Sequence, residues 1–220
     1  MLFDSPQQTE PDYSHERELR ARGARIVAGI DEAGRGPLAG PVVVSAVVLD
    51  PLAIPPGLND SKKLTKEQRE LLFGQIMDTA LAVSVVVAPP TIILSHNIRG
   101  ATLWGMAQAA RSLGVAPDRV LVDGRDVPLG LPCEGTALIG GDGRSVSIAA
   151  ASVVAKVTRD RMCQVMDCDA PHFGFAGHKG YSTPQHMRAL EEHGPCRHHR
   201  EEFAPVREAW ARIRLSVKVA

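Results

Sequence analysis

Nine consecutive residues, Pro41-Val-Val-Val-Ser-Ala-Val-Val-Leu49, contain a single polar side chain and are dominated by β-branched valine. A run of this kind has no apolar–polar alternation. It predicts a strand covered on both faces, which in turn demands packed layers on either side of a sheet. It is about half the ~20 residues that a membrane-spanning helix needs, as is the other long apolar run, 81–90.

The neighbouring segments build outward from that strand. Ile26-Val-Ala-Gly-Ile30 is a short apolar run ending in Asp31-Glu32, and a Gly-rich turn joins it to the valine strand as a hairpin. The spacing predicts a helix over 66–80, with Thr65 and Gln68 placed as a capping box and Leu71, Leu72, Ile76 and Ala80 on one face. A third strand is expected over 83–87, then a helix over 97–113 with Gly114 as its C′ residue. A fourth strand over 119–122 ends at Asp123, and a short fifth over 136–139 ends near Asp142. A long Ala-rich helix follows over 146–166. Thr183-Pro184 is a favoured cap-then-Pro start for a further helix that Gly194 stops, and 204–214 reads as the last. Strands alternating with helices, followed by helices alone, make an α/β chain with a helical C-terminal appendage.

Length adds one large domain to this reading. Residues 1–23 form a polar tail with one charged stretch of helical length, and 24–215 form the domain, its C-terminal helical part starting near 171. Nothing at the N-terminus has the basic-then-apolar pattern of a signal peptide. The four cysteines form no C-x-x-C pair, which argues against a zinc site and for reduced thiols in the cytoplasm. No membrane segment is expected.

Acids at strand ends carry the chemistry. Asp31 and Glu32 close the first strand, Asp123 the fourth, and Asp142 follows the fifth, at the rim where ligand sites of α/β sheets lie. Asp is also common in ordinary turns, so no single one of these is decisive. Converging carboxylates raise one another's pKa unless cations compensate. Oxygen ligands without His or Cys favour a hard cation, Mg²⁺ or Mn²⁺. Two such ions about 4 Å apart suit displacement at phosphorus. Gly34-Arg35-Gly36, directly after the acids, allows close approach of backbone to a ligand, with Arg35 available for a phosphate. Its spacing fits neither a dinucleotide fingerprint nor a Walker A loop.

Four blocks together resemble a known family. Val27-Ala-Gly-Ile-Asp-Glu-Ala-Gly-Arg-Gly-Pro-Leu-Ala-Gly-Pro-Val42 is similar to the opening motif of bacterial ribonuclease HII. Asn59-Asp-Ser-Lys-Lys-Leu64, the Ala-rich 147–160 and His178-Lys-Gly-Tyr-Ser-Thr183 with His186 resemble later blocks of that family, in the same order. The resemblance implies a ribonuclease H-like fold, a central mixed sheet flanked by helices. It implies an endonuclease that cuts RNA in RNA–DNA hybrids and nicks duplex DNA 5′ of embedded ribonucleotides, leaving 5′-phosphate and 3′-hydroxyl ends. Such a protein would act as a cytoplasmic monomer in DNA replication and repair, with Mn²⁺ or Mg²⁺ as cofactor. Asp31, Glu32, Asp123 and Asp142 would be the catalytic, metal-binding acids, with Asp126 and Asp160 as rivals for the last two places and Asp160 favoured as a helix-surface residue. Gly34, Arg35 and Gly36 would contact the ribonucleotide 2′-OH, which distinguishes RNA from DNA. Tyr181 would stack on the next deoxyribose, and Lys62 and Lys63 would contact phosphates.

The sequence departs from the family pattern at Ser182, where many relatives have Gly, and at Glu202, where relatives often have Ser. The basic stretch 198–200 is expected at the surface or near DNA. Two other readings use the same residues: a different ribonuclease H-like nuclease, or a catalytically silent nucleic-acid-binding module. The formal net charge of zero by itself argues against nucleic acid but conceals an asymmetry. Residues 1–60 carry 5 basic and 9 acidic side chains, and 181–220 carry 7 and 5.

Overall fold

The computed structural model describes residues 10–219, with side chains to residue 214. The first nine residues of the polar tail lie outside the described residues. The charged stretch that follows forms helix α1 (Ser14–Ala21). Its buried Glu16 accepts from Ser145 Oγ at 2.5 Å and from Ser147 N–H at 2.9 Å. An anionic group at the start of a helix is favoured by the unpaired amides and the dipole there.

Five strands form one mixed sheet in the order β3-β2-β1-β4-β5. They are β1 (Val27–Ala33), β2 (Val42–Val48), β3 (Ala82–Ala88), β4 (Arg119–Asp123) and β5 (Glu134–Leu138). β1, β2 and β3 run antiparallel in sequence, whereas β4 lies parallel to β1 and β5 parallel to β4. Every residue of β2 is buried, as its unbroken valine run demands. On one face, Ala28, Ile30, Val44, Ala46, Val120 and Val122 pack on helix α3 (Pro90–Arg111). On the other face, Val47 and Leu49 pack with helix α2 (Lys66–Thr79) and helix α4 (Val146–Asp169). The capping box at Thr65 and Gln68 is present in full. Helices α5 (Phe175–His178), α6 (Pro184–His193) and α7 (Ala204–Val219) follow as the C-terminal appendage. Among the described residues no helix is long and apolar enough to cross a membrane, and all four cysteines are free.

Helix α3 carries an extra segment before the expected start at Asn97 and ends short of expectation at its C-terminus. It starts at Pro90 and kinks at Asn97, whose φ of 54° breaks the helix and whose Oδ1 caps Gly100 N–H at 3.0 Å. It stops at Arg111, and Gly114 is not left-handed. Leu113 is drawn into the core, so packing rather than a glycine cap ends this helix.

β1 and α4 approach backbone to backbone at Gly29. A Cβ there would come within 2.2 Å of the Ser147 backbone carbon of α4, whereas one at Gly74 in α2 would meet nothing. Gly29→Ala should therefore cost about 3 kcal/mol or more through overpacking, lowering the melting temperature by roughly 6–12 °C. Gly74→Ala should stabilise by about 0.5–1 kcal/mol, since alanine leaves the unfolded chain less conformational entropy to lose on folding than glycine does. Thermal melts of the two variants check both signs.

Candidate functional site

Strand alternation sorts the acids by face. Val27 and Leu121 point toward α4, so Asp31 and Asp123, at the same parity, share that side. The parallel register pairs Ile30 with Val122, which sets the two aspartates next to each other at the strand ends. Asp142 arrives from the short turn that precedes α4. Carboxylate oxygens of Asp31, Asp123 and Asp142 come within 4.8 Å of one another. Glu32 has the opposite parity and stands outside that trio, but its side chain borders the same cleft.

Burial and charge both act on this cluster. Asp31, 3% exposed, has its carboxyl pushed well above the usual range by burial and then by the charges of Glu32, Asp123 and Asp142. Glu32 is raised by burial against the pull of Arg35, and Asp142 by burial and Asp123 against the pull of Lys62. Among the described residues, two cations pair with these acids: Lys62 Nζ lies 3.2 Å from Asp142 Oδ2, and Arg35 Nη1 lies 3.4 Å from Glu32 Oε1. Burial works against the charge on Lys62, but Asp142 and Asp60 raise its pKa overall. Asp31 Oδ1 accepts from Glu32 N–H and Asp123 Oδ1 from Gly141 N–H, each at 2.7 Å. The free lone pairs of an all-oxygen set suit a hard divalent ion, and such an ion would remove the repulsion.

The cleft holds more of the residues singled out from the sequence. Asp31, Glu32, Gly34, Arg35, Gly36, Lys62, Asp123 and Tyr181 line a single cavity of about 240 Å³. Tyr181 is half exposed, and a Cβ on Gly36 would touch its ring edge at 3.5 Å. Lys63 is exposed and lies outside that lining. The rivals are occupied elsewhere. Asp126 forms a two-pronged pair with Arg99. Asp160 is half-buried rather than a free helix-surface acid, held by Lys156 at 2.6 Å with Arg69 at 4.0 Å.

Sequence reasoning missed Ser61, Lys156 and Arg159, which also line the cleft, and it misplaced 198–200. His199 and Arg200 are buried, and His198 pairs with Asp169 at 2.7 Å. An antiparallel bridge of His199 with Ala39 draws the stretch inward, through Gly40 N–H to His198 O and Arg200 N–H to Leu38 O. Once inside, the guanidinium must find acceptors. Arg200 donates to the carbonyls of Gly34, Arg35 and Gly40 at 2.6, 2.9 and 2.7 Å. Its pKa is lowered to about 9 by burial and by the charge of Arg159. Arg159 donates to the carbonyls of Pro41 and Lys179 and fills the space under Gly34, where a Cβ would lie 1.8 Å from its Nε. In a trans peptide the carbonyl and the following amide point opposite ways. With the Gly34 and Arg35 carbonyls turned in to Arg200, the amides of Arg35 and Gly36 face away from it.

Comparison with known proteins gives consistent results. A model of the ribonuclease HII family matches residues 28–212. Ribonuclease HII of Agrobacterium fabrum (strain C58) is 55% identical over 206 residues, covering 94% of each chain. The solved structure of ribonuclease H2 from Pyrococcus horikoshii OT3 superposes with a TM-score of 0.71 at 30% identity, covering 86% of this chain and 99% of that one. The ribonuclease HII of Archaeoglobus fulgidus, solved as a complex with PCNA, gives 0.67 at 27% identity, covering 81% and 95%.

The repulsion at the trio has a measurable consequence. Asp31→Asn should raise the melting temperature of the metal-free protein, because it removes one buried charge from the cluster. Mg²⁺ or Mn²⁺ at about 100 times its Kd should stabilise the wild type by about 2.7 kcal/mol and the variant by much less. Equal metal-induced shifts in the two proteins would place the ion elsewhere.

Proposed function

We propose how a known activity is carried by this site: the chain belongs to the ribonuclease HII family and is a ribonuclease H, an endonuclease that hydrolyses RNA in RNA–DNA hybrids and depends on divalent metal. The observation that supports this reading is the meeting of Asp31, Asp123 and Asp142 within 4.8 Å, where Asp31 and Asp123 line a cleft shared with Gly34–Gly36 and Tyr181.

Asp31, Glu32, Asp123 and Asp142 act as the ligands, and Mg²⁺ or Mn²⁺ is the ion their oxygens favour. Held by these residues as a pair, such ions would supply an activated water and stabilisation of the leaving 3′-oxygen, consistent with 5′-phosphate and 3′-hydroxyl ends. The protein needs no side-chain nucleophile. Ser152 donates its hydroxyl to Ser61 at 2.8 Å, which spends it on structure. Lys62, balanced between Asp60 and Asp142, is placed to take a phosphate oxygen, and the exposed Lys63 meets the flanking backbone.

Selectivity for RNA rests on the Gly34-Arg35-Gly36 loop. Amides of Arg35 and Gly36, turned away from Arg200, are donors for a ribose 2′-OH, the group that separates RNA from DNA. Tyr181 offers its exposed ring edge beside Gly36 to the sugar on the 3′ side, so that a ribonucleotide followed by deoxyribose fits both elements. The enzyme thus nicks DNA duplexes 5′ of a single ribonucleotide as well as cutting hybrids. It works as a cytoplasmic monomer, a setting in keeping with four free thiols.

One substrate tests the assignment: a DNA duplex with a single embedded ribonucleotide. Cleavage on its 5′ side should require Mg²⁺ or Mn²⁺ and stop with chelator. Asp31→Asn should reduce the rate by about 10³-fold or more, and normal turnover by that variant would remove Asp31 from the ligand set. Tyr181→Ala should lower the ratio of single-ribonucleotide to hybrid cleavage about tenfold. A fully deoxyribose duplex should remain uncut.

A further inference from the structure

We infer that His199 and His186 form a one-way hydrogen-bond relay that positions Tyr181 for reading the sugar after a ribonucleotide. The inference rests on the role proposed above for Tyr181 and adds two buried residues, from the bridge to Ala39 and from α6, to the machinery behind it.

The two imidazoles, both buried, meet with their Nε2 atoms 3.0 Å apart. One ring must donate and the other accept, and each end of the pair decides which. The backbone N–H of Cys196 can only donate, and it points at His199 Nδ1 at 3.0 Å. That nitrogen is therefore bare, and the proton of the neutral ring sits on Nε2. The carbonyl of Tyr181 can only accept, and it lies 2.8 Å from His186 Nδ1. That nitrogen must carry the proton, leaving His186 Nε2 bare. Both ends of the pair thus require the same arrangement of protons.

Hydrogen bonds therefore run in one direction, from the Cys196 amide through both rings to the Tyr181 carbonyl. An added proton on either ring would set a donor against a donor at one of these contacts. Burial keeps both rings neutral: His199 is held down to about 3, and His186 is also lowered. The relay is thus a fixed support rather than a switch at working pH.

The surroundings prevent either ring from turning. His178 stacks on His186 at 4.4 Å with planes 11° apart. Phe173 packs against His199 at 4.7 Å, and Phe175 stands edge-on to His186 at 5.5 Å. The Tyr181 carbonyl also accepts Thr183 N–H at 2.8 Å, so two donors pin the peptide while the phenol ring stays half exposed. On the far side, Leu38 N–H donates to Gly180 O at 2.8 Å. The same turn is thereby tied to the 37–40 segment that continues from the Gly34–Gly36 loop. Displacing a recognition group by about 1 Å is enough to cost 10²-fold in rate.

A role limited to packing would lower stability and leave substrate preference alone, so the test reads preference and tautomers. Long-range ¹H–¹⁵N correlation spectra of the full chain should show His199 protonated at Nε2 and His186 at Nδ1; any other pair of tautomers overturns the relay. His199→Leu removes the donor. It should lower the ratio of single-ribonucleotide to hybrid cleavage by up to about tenfold, no further than Tyr181→Ala does. His199→Gln, whose amide nitrogen can take the place of Nε2, should recover most of the ratio. Equal loss on both substrates, or no loss of preference, overturns the relay while the Tyr181 reading stands. Preference retained by Tyr181→Ala removes that reading, and the inference with it.

Discussion

β1 and α4 touch backbone to backbone at Gly29, where a Cβ would lie 2.2 Å from the Ser147 carbon, and the site is a consequence of that contact. Because the two elements lie so close, the face of β1 that carries Asp31 opens directly onto the turn that carries Asp142. The parallel neighbour β4 brings Asp123 to the same rim. α1 reinforces the arrangement from outside, since Glu16 fixes the first residues of α4 through Ser145 and Ser147. A bulkier residue at 29 would push the helix away and take Asp142 with it.

The resulting crowding of negative charge is unfavourable to the folded protein without an ion. Burial and mutual repulsion both raise Asp31, and Lys62 and Arg35 offset only part of the cost. Stability is given up at the place where a cation is proposed to bind, as expected where function and packing compete. The rest of the fold is apolar and closely packed, from the wholly buried β2 to the Ala-rich half of α4.

A second set of charges, of the opposite sign, holds the Gly34–Gly36 loop proposed to read the substrate. Arg159 and Arg200 are both fully buried, and six backbone carbonyls, those of residues 34, 35, 39, 40, 41 and 179, receive their hydrogen bonds. Such groups are tolerated inside only when their donors are satisfied. The two guanidinia convert a flexible Gly-rich segment into a loop of fixed orientation, next to the turn of Tyr181 that the imidazoles support.

Much of this was legible in the residues themselves. The valine run announced a doubly covered strand, the Thr65–Gln68 spacing announced a capping box that is present, and Asp31-Glu32 before Gly34-Arg35-Gly36 marked the site and carried the family resemblance. The Asn97 start of α3 was legible, since its side chain caps Gly100 locally, but the segment from Pro90 and the stop at Arg111 were not, because the burial of Leu113 depends on neighbours rather than on local pattern. The stretch 198–200 was misread more seriously. A buried Arg200 is partnered by carbonyls about 160 positions away in the chain, and a carbonyl belongs to every residue, so no side-chain pattern announces it. Sequence alone determined which segments could be strands and helices and which side chains were available for chemistry, because those depend on local spacing and residue type. Tertiary structure decided which acids meet, which of two adjacent acids faces α4, and which charges are buried, because these follow from contacts between elements far apart in the chain.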